Sequence, residues 1–200
     1  MEGRYGTVKR ILDVIGAILL LVIFLIPMLI IGLLICLTSS GGAIFCQKRV
    51  GKDGIPFCCY KFRTMERNAP QSCPTAALTD ADRYITPVGR WLRRTSLDEL
   101  PQLWNVLRGE MSLVGPRPLI PEEEWIHRMR RRIGVEKLRP GITGLAQIRG
   151  RDLLGDGEKV RIDASYARRI SFRTDAEIIL QTLGCVTRGA NIREGAAAKR

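Results

Sequence analysis

The sequence predicts an α+β fold that is mainly helical, with a membrane helix near the N-terminus, a short β-hairpin and amphipathic helices at the membrane interface. Three observations support this prediction: an uncharged apolar run at 14–37, two β-rich runs joined by a turn at 44–62, and apolar residues at helical spacing beyond residue 96. A length of 200 residues allows one ordinary domain with its own core.

The membrane segment runs from Val14 to Leu37, 24 residues without a charge. As a helix it would be about 36 Å long, enough to cross the hydrocarbon core of a bilayer. A signal peptide has a shorter apolar core and a cleavage site, so we expect this segment to be retained. Pro27 would kink the helix, and basic residues flank both ends. A spanning helix and a re-entrant helix with both ends in the cytoplasm are both compatible with these residues.

Asp13 lies at the edge of the apolar run, one helical turn after Lys9 and Arg10. A carboxylate at this depth is costly unless it is paired. Two interpretations follow: a simple interfacial salt bridge, or a Lys9–Arg10–Asp13 cluster that fixes the helix at the level of the lipid headgroups.

Charge narrows the classes of partner. The chain has 32 Lys and Arg residues against 20 Asp and Glu residues, a net charge of +12 that is spread evenly along its length. This excess, with Arg dominant over Lys, favours phosphate groups and anionic headgroups as partners. The even spread and an aromatic content of 6% argue against nucleic acid.

The six cysteines show no metal or disulfide pattern. None belongs to a C-x-x-C pair, and His127 is the only histidine, so a zinc site is not expected. Because nothing resembles the disulfide framework of a secreted domain, we expect reduced, cytoplasmic thiols.

The soluble part begins with a predicted hairpin, whose strands cover Ile44–Val50 and Ile55–Phe62 around a turn at 51–54. Residues 66–82 are typical of a mobile loop. Three helices are expected further on. The first carries an apolar stripe formed by Leu100, Leu103, Trp104 and Leu107. The second opens at Pro121 and closes at Arg130–Arg132, with its charges on a solvated face, and the third follows a capping box at Thr174.

Asp98 and Glu99 form an acid pair at the expected start of the first of these helices. One interpretation is purely structural, because Ser96 or Asp98 is a suitable N-cap. The other is functional: arginines precede the pair at 90, 93 and 94, and a rigid turn at 115–118 presents Arg117 beyond it. Arginines and adjacent carboxylates at a helix start suit a site for phosphate and Mg²⁺.

Several motifs in one order resemble the bacterial sugar transferase family, the monotopic polyprenyl-phosphate phosphoglycosyl transferases. They are the segments 95–106 and 111–118, around Asp98 and Arg117, and the segments 47–51, 60–65 and 139–147. Lys9, Arg10 and Asp13 resemble the start of the family's membrane helix, and the similarity extends to about Leu183, more weakly beyond residue 151. The chain is expected to be the small, minimal form of the family.

The resemblance implies a catalytic dyad at Asp98 and Glu99, with Mg²⁺ as the cofactor. Asp98 would attack the β-phosphate of a UDP-sugar, release UMP and carry a phospho-sugar that polyprenyl (undecaprenyl) phosphate then accepts. We predict phosphate binding by four arginines. Two match phosphate-binding positions of the family, Arg93 and Arg117, and the others are Arg149 and Arg151. Glucose, galactose and acetamido sugars all remain candidates, and the small form favours an acetamido sugar.

The resemblance also implies a re-entrant membrane helix broken at Pro27. Residues 1–42 would then form an N-terminal membrane segment, 43–190 a catalytic domain on the cytoplasmic face of the bacterial inner membrane, and 191–200 a flexible tail. The expected partners are a UDP-sugar, polyprenyl phosphate and membrane lipids, without nucleic acid, and a homo-oligomer is left open. The competing class is a membrane-anchored binding or scaffold protein, which would not need Asp98.

Overall fold

A computed structural model describes residues 4–70, 83–150 and 153–188 of the chain. Its regular elements, in chain order, are α1 Arg4–Thr38, β1 Ile44–Val50, β2 Pro56–Phe62, α2 Pro87–Thr95, α3 Gln102–Arg108, β3 Ser112–Val114, α4 Glu124–Arg132, β4 Gly141–Thr143, α5 Leu145–Arg149, α6 Asp156–Arg168 and α7 Phe172–Arg188. Short 3₁₀ turns lie at Lys52–Gly54, Leu97–Glu99 and Val135–Lys137. The predicted class, α+β and mainly helical, is confirmed.

The predicted hairpin is confirmed, with β1 and β2 paired antiparallel. Its turn closes because Asp53 and Gly54 adopt positive φ angles of 56° and 77°. The structure pairs Cys46 with Cys58 across the two strands, and the expectation of reduced, cytoplasmic thiols stays a prediction. Their Cα atoms are 5.6 Å apart, inside the range that a disulfide requires. Cys36, Cys59 and Cys185 are free, and Cys73 lies outside the described residues.

A second, parallel pair of strands brings two distant motifs together. In it, β3 pairs with β4 so that Ser112 lies opposite Gly141 and Val114 opposite Thr143. A side chain at Gly141 could not be accommodated, because its Cβ atom would lie 2.1 Å from the backbone nitrogen of Gly115. This close approach places the turn at 115–118 directly beside the segment that follows Arg139.

The apolar helix α1 packs along the folded domain at two separate places. Ala17, near its N-terminal end, is buried in a cluster with Phe57 and Leu103. Ile31 and Ile35, near its other end, are buried against residues from β2 and α2, namely Phe62 and Leu92. The helix is long and apolar enough to cross a membrane, and only 11% of its most apolar stretch is buried, unlike the core helix of a soluble protein.

The helix continues through Pro27 without interruption. The predicted break at this residue is therefore not seen, and the re-entrant path stays a prediction. The division of the chain at residue 42 is likewise a prediction.

Polar side chains at the start of α1 bind the domain. Lys9 Nζ contacts Asp175 Oδ2 at 2.7 Å and Asp13 Oδ1 at 3.8 Å. Arg10 donates from Nη1 and Nη2 to the carbonyl oxygens of Val106 and Leu107, at the end of α3. The buried carboxylate of Asp13 accepts hydrogen bonds from residues of β3: the Ser112 hydroxyl at 2.7 Å and the Leu113 amide at 3.0 Å.

Lys9, Arg10 and Asp13 therefore hold α1 to the folded domain. The contact between Lys9 and Asp13 agrees with the expected salt bridge, whereas the hydrogen bonds from β3 to Asp13 were not predicted. The position of these three residues at the level of the headgroups stays a prediction.

One helix was not predicted, and two predicted helix starts are wrong. The first soluble helix is α2, which begins at Pro87 with the Thr86 hydroxyl accepting from the Gly89 amide. The helix predicted to open at Pro121 begins at Glu124, because the Glu123 carboxylate turns back to the Ile120 amide. The last helix begins at Phe172 and not after Thr174, since the Ser171 hydroxyl accepts from the Thr174 amide.

Apolar side chains remain exposed on the helices around the site. They include Trp91 on α2, Trp104 on α3, Trp125 on α4, and Ile179, Leu180 and Leu183 on α7. Their predicted location at a membrane interface stays a prediction. Most of the predicted loop at 66–82 and the whole tail at 191–200 lie outside the described residues.

Candidate active site

Asp98 and Glu99 lie in the 3₁₀ turn Leu97–Glu99, between α2 and α3. The turn begins at Ser96, whose φ of 56° is in the left-handed region and whose amide donates to the carbonyl of Arg93, so α2 ends there and the chain changes direction. The predicted position at the start of a helix is thus corrected to a tight turn that ends two residues before Pro101, the N-cap of α3. Both acidic residues are buried, with exposures of 8% and 9%.

Glu99 is fixed by an ion pair with β2. Lys61 Nζ lies 2.8 Å from Glu99 Oε1, and both side chains are largely buried. Because side chains alternate along a strand, Lys61 and the buried Cys59 lie on the same face of β2. The hairpin therefore supplies a cation to the acid pair.

A small chamber adjoins Glu99, which we call the cationic chamber. Its volume is about 10 Å³. It is lined by Arg49, Cys59, Lys61, Glu99, Gln102, Arg117, Pro118, Gly141 and Ile142. Burial, and then the neighbouring Arg117, lower the pKa of Arg49, and burial raises the pKa of the Cys59 thiol, which favours its neutral form. Three cationic side chains thus line the chamber with one carboxylate.

The backbone that carries Arg117 is held by two other arginines. Arg130 Nη1 donates to the Arg117 carbonyl at 2.9 Å, and Arg49 Nη1 donates to the Pro118 carbonyl at 3.0 Å. Arg130 is itself buried and binds Asp163 Oδ2 through Nε and Nη2, at 3.0 and 2.6 Å. Burial raises the pKa of Asp163, and the Arg130 charge opposes that rise. The prediction of a solvated charged face is therefore wrong for Arg130.

The four predicted phosphate-binding arginines are placed differently. Arg117 lines the cationic chamber. Arg93 is in the last turn of α2 and donates from Nε to the Thr64 hydroxyl at 2.9 Å. Arg149 is exposed at the end of α5 and lines neither of the two cavities described in this section. Arg151 lies outside the described residues. Phosphate binding by all four stays a prediction.

A much larger cavity, which we call the apolar groove, lies on the other side of the turn. Its volume is about 320 Å³. Its wall contains Leu20 and Phe24 of α1, Leu97, Glu99 and Leu100 of the turn region, and Ile179, Leu183 and Val186 of α7. Arg94 also lines it, so the groove combines apolar walls with a cation close to the acid pair. Glu99 lines both the cationic chamber and the apolar groove.

Comparison with known proteins shows the family of the chain. The sequence model described as bacterial sugar transferase matches residues 4–189. The chain belongs to this family. The matched region contains the acid pair, both cavities and the whole of α1.

Three relatives illustrate the similarity of this sugar transferase to curated proteins. A UDP-galactose-lipid carrier transferase of Erwinia amylovora is 38% identical over 94% of this chain and 41% of its own length. A UDP-glucose:undecaprenyl-phosphate glucose-1-phosphate transferase of Caulobacter vibrioides is 42% identical over 88% of this chain and 68% of its own. The exopolysaccharide production protein ExoY of Sinorhizobium fredii is 38% identical over 92% of this chain and 88% of its own. The chain thus spans less than half of the Erwinia relative and most of the Sinorhizobium one.

The carboxylates of the sugar transferase chain suit a hard cation shared with a substrate. No group of three or more His, Cys, Asp or Glu residues capable of holding a metal occurs within the described residues. Mg²⁺, however, is usually held by one or two carboxylates together with substrate phosphates and waters. Asp98 and Glu99 therefore fit Mg²⁺ bound jointly with a phosphate, and do not fit a closed protein-only site.

Sequence reasoning missed two functional contacts of the sugar transferase site. Lys61 and Arg49 belong to motifs that carried the resemblance, but neither received a role. The signal was available for Lys61, because the alternation of β2 places it two residues after an inward-facing Cys59. No sequence signal joined Arg130 to Asp163, which are 33 residues apart and meet only through packing of α4 on α6.

Proposed function

We propose that this chain transfers a sugar-1-phosphate from a UDP-sugar to polyprenyl phosphate, such as undecaprenyl phosphate, and releases UMP. The observation that carries the proposal is that Glu99, adjacent to Asp98, lines both the cationic chamber and the apolar groove. A reaction that transfers a phospho-sugar from a nucleotide diphosphate sugar to a long lipid phosphate needs these two environments beside the reacting acid pair.

The cationic chamber supports the diphosphate part of this proposal. Guanidinium groups bind phosphate oxygens with strong, charge-assisted hydrogen bonds. Arg117 is presented by a turn in which its own carbonyl and that of Pro118 both accept hydrogen bonds. The chamber is too small for a whole diphosphate, so the donor would place only part of its phosphate there, with the remainder in front of Asp98.

The apolar groove supports the lipid part. Its walls come from α1 and α7, which both expose large apolar side chains to the surroundings, among them Leu25 and Leu180. A polyprenyl chain lying in or on the membrane could enter such a groove without crossing a polar surface. Its phosphate would then meet Arg94 and the acid pair at the inner end.

The proposed chemistry has two displacements. In the first, an Asp98 carboxylate oxygen attacks the β-phosphorus of the UDP-sugar, the bond from that phosphorus to the bridging oxygen breaks, and UMP leaves with the bond electrons. In the second, an oxygen of polyprenyl phosphate attacks the same phosphorus, the aspartyl–phosphorus bond breaks, and the Asp98 carboxylate is regenerated. One phosphoanhydride is broken and one is formed overall, and covalent capture divides a difficult step into two.

Glu99 and Lys61 prepare the site for these steps. The ion pair at 2.8 Å holds the Glu99 carboxylate in place beside Asp98. Asp98 and Glu99 would hold Mg²⁺, which when bound neutralises phosphate charge that would otherwise repel an attacking carboxylate. Glu99, which also lines the apolar groove, would accept a proton carried by the incoming lipid phosphate.

The contacts of α1 support a membrane segment that stays on one side. Ala17 and Ile35 both pack on the same folded domain, although they lie about 27 Å apart along a helix at 1.5 Å per residue. A helix that crossed the bilayer would carry one of these sites away from a domain in the cytoplasm. We therefore propose that both ends of α1 face the cytoplasm, at the inner membrane of a bacterium.

The names of the relatives set the order in which donors are tested. They specify galactose for the Erwinia protein and glucose for the Caulobacter protein. UDP-glucose and UDP-galactose are the first donors to try, with an acetamido sugar third.

The decisive experiment uses the donor alone. Purified protein mixed with UDP-sugar and Mg²⁺ should release at most one UMP per active site, and intact-mass analysis should show one added phospho-sugar on the peptide that holds Asp98. Polyprenyl phosphate should discharge the adduct, and EDTA should stop its formation until Mg²⁺ is restored.

Asp98→Asn should abolish both the adduct and the UMP burst, because an amide of nearly the same shape is a poor nucleophile. Asp53→Asn makes the same change at an exposed hairpin position and should leave both intact. UMP release that requires both substrates, with no adduct ever trapped, would exclude the covalent mechanism. The absence of any UMP release from all three donors would favour the scaffold class instead.

Topology can be measured independently of activity. Single cysteines introduced near Gly3 and at Lys52, in a cysteine-free background, should react with an impermeant reagent from the same side of inner-membrane vesicles. Pro27→Leu should shift part of the population to a spanning helix, because leucine restores the missing backbone hydrogen bond. Labelling of the two unaltered ends from opposite sides contradicts the re-entrant proposal.

A further inference from the structure

Arg49 is a partly buried cation, and the groups that accept its hydrogen bonds are uncharged. Its Nη1 donates to the Pro118 carbonyl at 3.0 Å and its Nη2 to the Gln47 side-chain oxygen at 2.5 Å. Within the described part of the chain, its Nε atom is buried and has no hydrogen-bond partner. An unsatisfied buried donor on a charged group is costly, so its retention at this position requires a reason.

The surroundings of Arg49 increase that cost. Burial lowers the pKa of Arg49, and the charge of Arg117 on the chamber wall lowers it further. Lys61 contributes a third cation, while Glu99 is the only carboxylate among the residues that line the chamber. Glu99 is paired with Lys61, and a bound anion would reduce the repulsion between the guanidinium groups of Arg49 and Arg117.

The size of the chamber limits what that anion can place inside it. A volume of about 10 Å³ is room for one water-sized atom. A phosphate oxygen has this size, and a phosphate whose other oxygens stay outside the chamber could reach it. A single ordered water would also fit, and would satisfy Arg49 Nε without any role in substrate binding.

We propose that Arg49 is a phosphate-binding residue of the donor site, and that its Nε atom donates to one phosphate oxygen seated in the cationic chamber. This assignment rests on the proposed transfer from a nucleotide diphosphate sugar and adds a residue to its site. Arg49 and Arg117 then bind one phosphate from two sides, and the anion offsets their mutual repulsion.

Inorganic pyrophosphate is a suitable probe, because its binding needs no chemical step. The protein in lipid nanodiscs should bind pyrophosphate in calorimetric titration with Mg²⁺ present. Arg49→Gln should raise the Kd for pyrophosphate at least tenfold. Lys48→Gln removes the same charge from the adjacent, exposed position of β1 and should leave the Kd within twofold.

A purely structural role gives a different result, since Arg49 also holds Pro118. In that case Arg49→Gln would lower the melting temperature of the free protein but keep its full rise on adding pyrophosphate. Equal pyrophosphate affinity in Arg49→Gln and in the unaltered protein, or no binding to either, overturns the proposal and leaves a water as the partner of Nε.

Two further readouts keep the outcome clear. If Arg49→Gln does not fold, ¹⁵N-arginine spectra of the unaltered protein replace the titration. The Arg49 Nε–H signal, which is assigned by its loss in Arg49→Lys, should move on adding pyrophosphate. A signal that does not move refutes the proposal. The aspartyl adduct is scored separately. If pyrophosphate binding depends on Arg49 but no adduct forms, the proposed transfer is wrong and the phosphate site stands. If the adduct forms normally but pyrophosphate binding does not depend on Arg49, the proposed transfer stands and the assignment of Arg49 is wrong.

Discussion

The cationic chamber and the apolar groove meet at Glu99 but differ in the side chains that line them. The chamber, of about 10 Å³, is lined by side chains from the hairpin, the turn at 115–118 and β4, with three cations among them. The groove, of about 320 Å³, is lined mainly by apolar side chains from α1, the turn at 97–100 and α7. The chamber is small and charged, whereas the groove is large and apolar.

The supports of the two cavities differ as well. Hydrogen bonds and ion pairs fix the chamber, through Lys61 to Glu99 and through Arg130 to the Arg117 carbonyl. The groove is held by packing, where α1 meets the domain at Ala17 and at Ile31. If the chamber receives the donor and the groove the acceptor, substitutions in each should impair different halves of the reaction.

Arg117→Ala should give the largest effect, confined to the donor half. Loss of a guanidinium that stabilises phosphate charge is expected to slow the UMP burst about a hundredfold. Discharge of a preformed adduct by polyprenyl phosphate should change much less, because the leaving UMP is then gone. Rapid-quench measurement of both half-reactions tests this separation.

Arg128→Ala is the matched control for Arg117, since Arg128 is exposed on α4. It should leave both half-reactions unchanged. Equal slowing of the burst and of the discharge in Arg117→Ala would mean that the chamber serves both substrates, and the contrast between the two cavities would not describe donor and acceptor.

Leu183→Glu should give a moderate effect on the acceptor half. Leu183 lines the groove on α7, is 60% exposed, and so tolerates a polar side chain without loss of core packing. A carboxylate there should repel the lipid phosphate and reduce apolar contact, raising the KM for polyprenyl phosphate about tenfold. The UMP burst with donor alone should stay normal.

Leu180→Glu is the control for this change, because Leu180 is 68% exposed on the same helix and does not line the groove. It alters membrane contact similarly without entering the proposed acceptor site. If both variants raise the KM equally, the effect belongs to the membrane-facing surface of α7 and the groove is not the acceptor site.

The two cavities also differ in how far the sequence predicted them, and the elements of the groove were the more predictable. The groove is built from α1 and α7, and the apolar run of one and the apolar face of the other follow from local hydrophobic pattern. The hairpin was equally predictable, because its turn and β-rich runs are local. The start of α2 was missed although Thr86 followed by Pro87 is a recognisable N-cap and first-turn pair.

The chamber could not be predicted in the same way, because its contacts join residues far apart in the chain. Glu99 and Lys61 are 38 residues apart, and Arg49 and Pro118 are 69 apart. Asp13 does contact its neighbour Lys9 on α1, as expected, and β3 in addition supplies a hydroxyl and an amide. The local partner of this charged residue was thus predictable from the sequence, whereas its partners from a distant strand were not.

Asp163→Asn should give the smallest effect on transfer, and it tests whether the rigidity of the chamber matters. Asp163 binds Arg130, which holds the Arg117 carbonyl, so Asp163 is a positioning residue two contacts away from substrate. Asparagine keeps the shape but removes the charge that compensates a buried guanidinium, which should lower the free energy of unfolding by about 2–4 kcal/mol. Because the Arg117 side chain is still present, the KM for the UDP-sugar should rise only about threefold.

The comparison variant is Glu177→Gln, which weakens an ion pair with Arg173 on the exposed side of α7. An exposed pair of this kind contributes less than about 1 kcal/mol, and its loss should leave the KM for the UDP-sugar unchanged. Chemical denaturation and half-reaction kinetics on both variants separate stability from positioning. If Asp163→Asn loses stability while the KM for the UDP-sugar stays at its normal value below the melting temperature, Arg130 supports only the fold. A rise in that KM without a change in adduct discharge would instead place the Arg130–Asp163 pair in the donor half of the site.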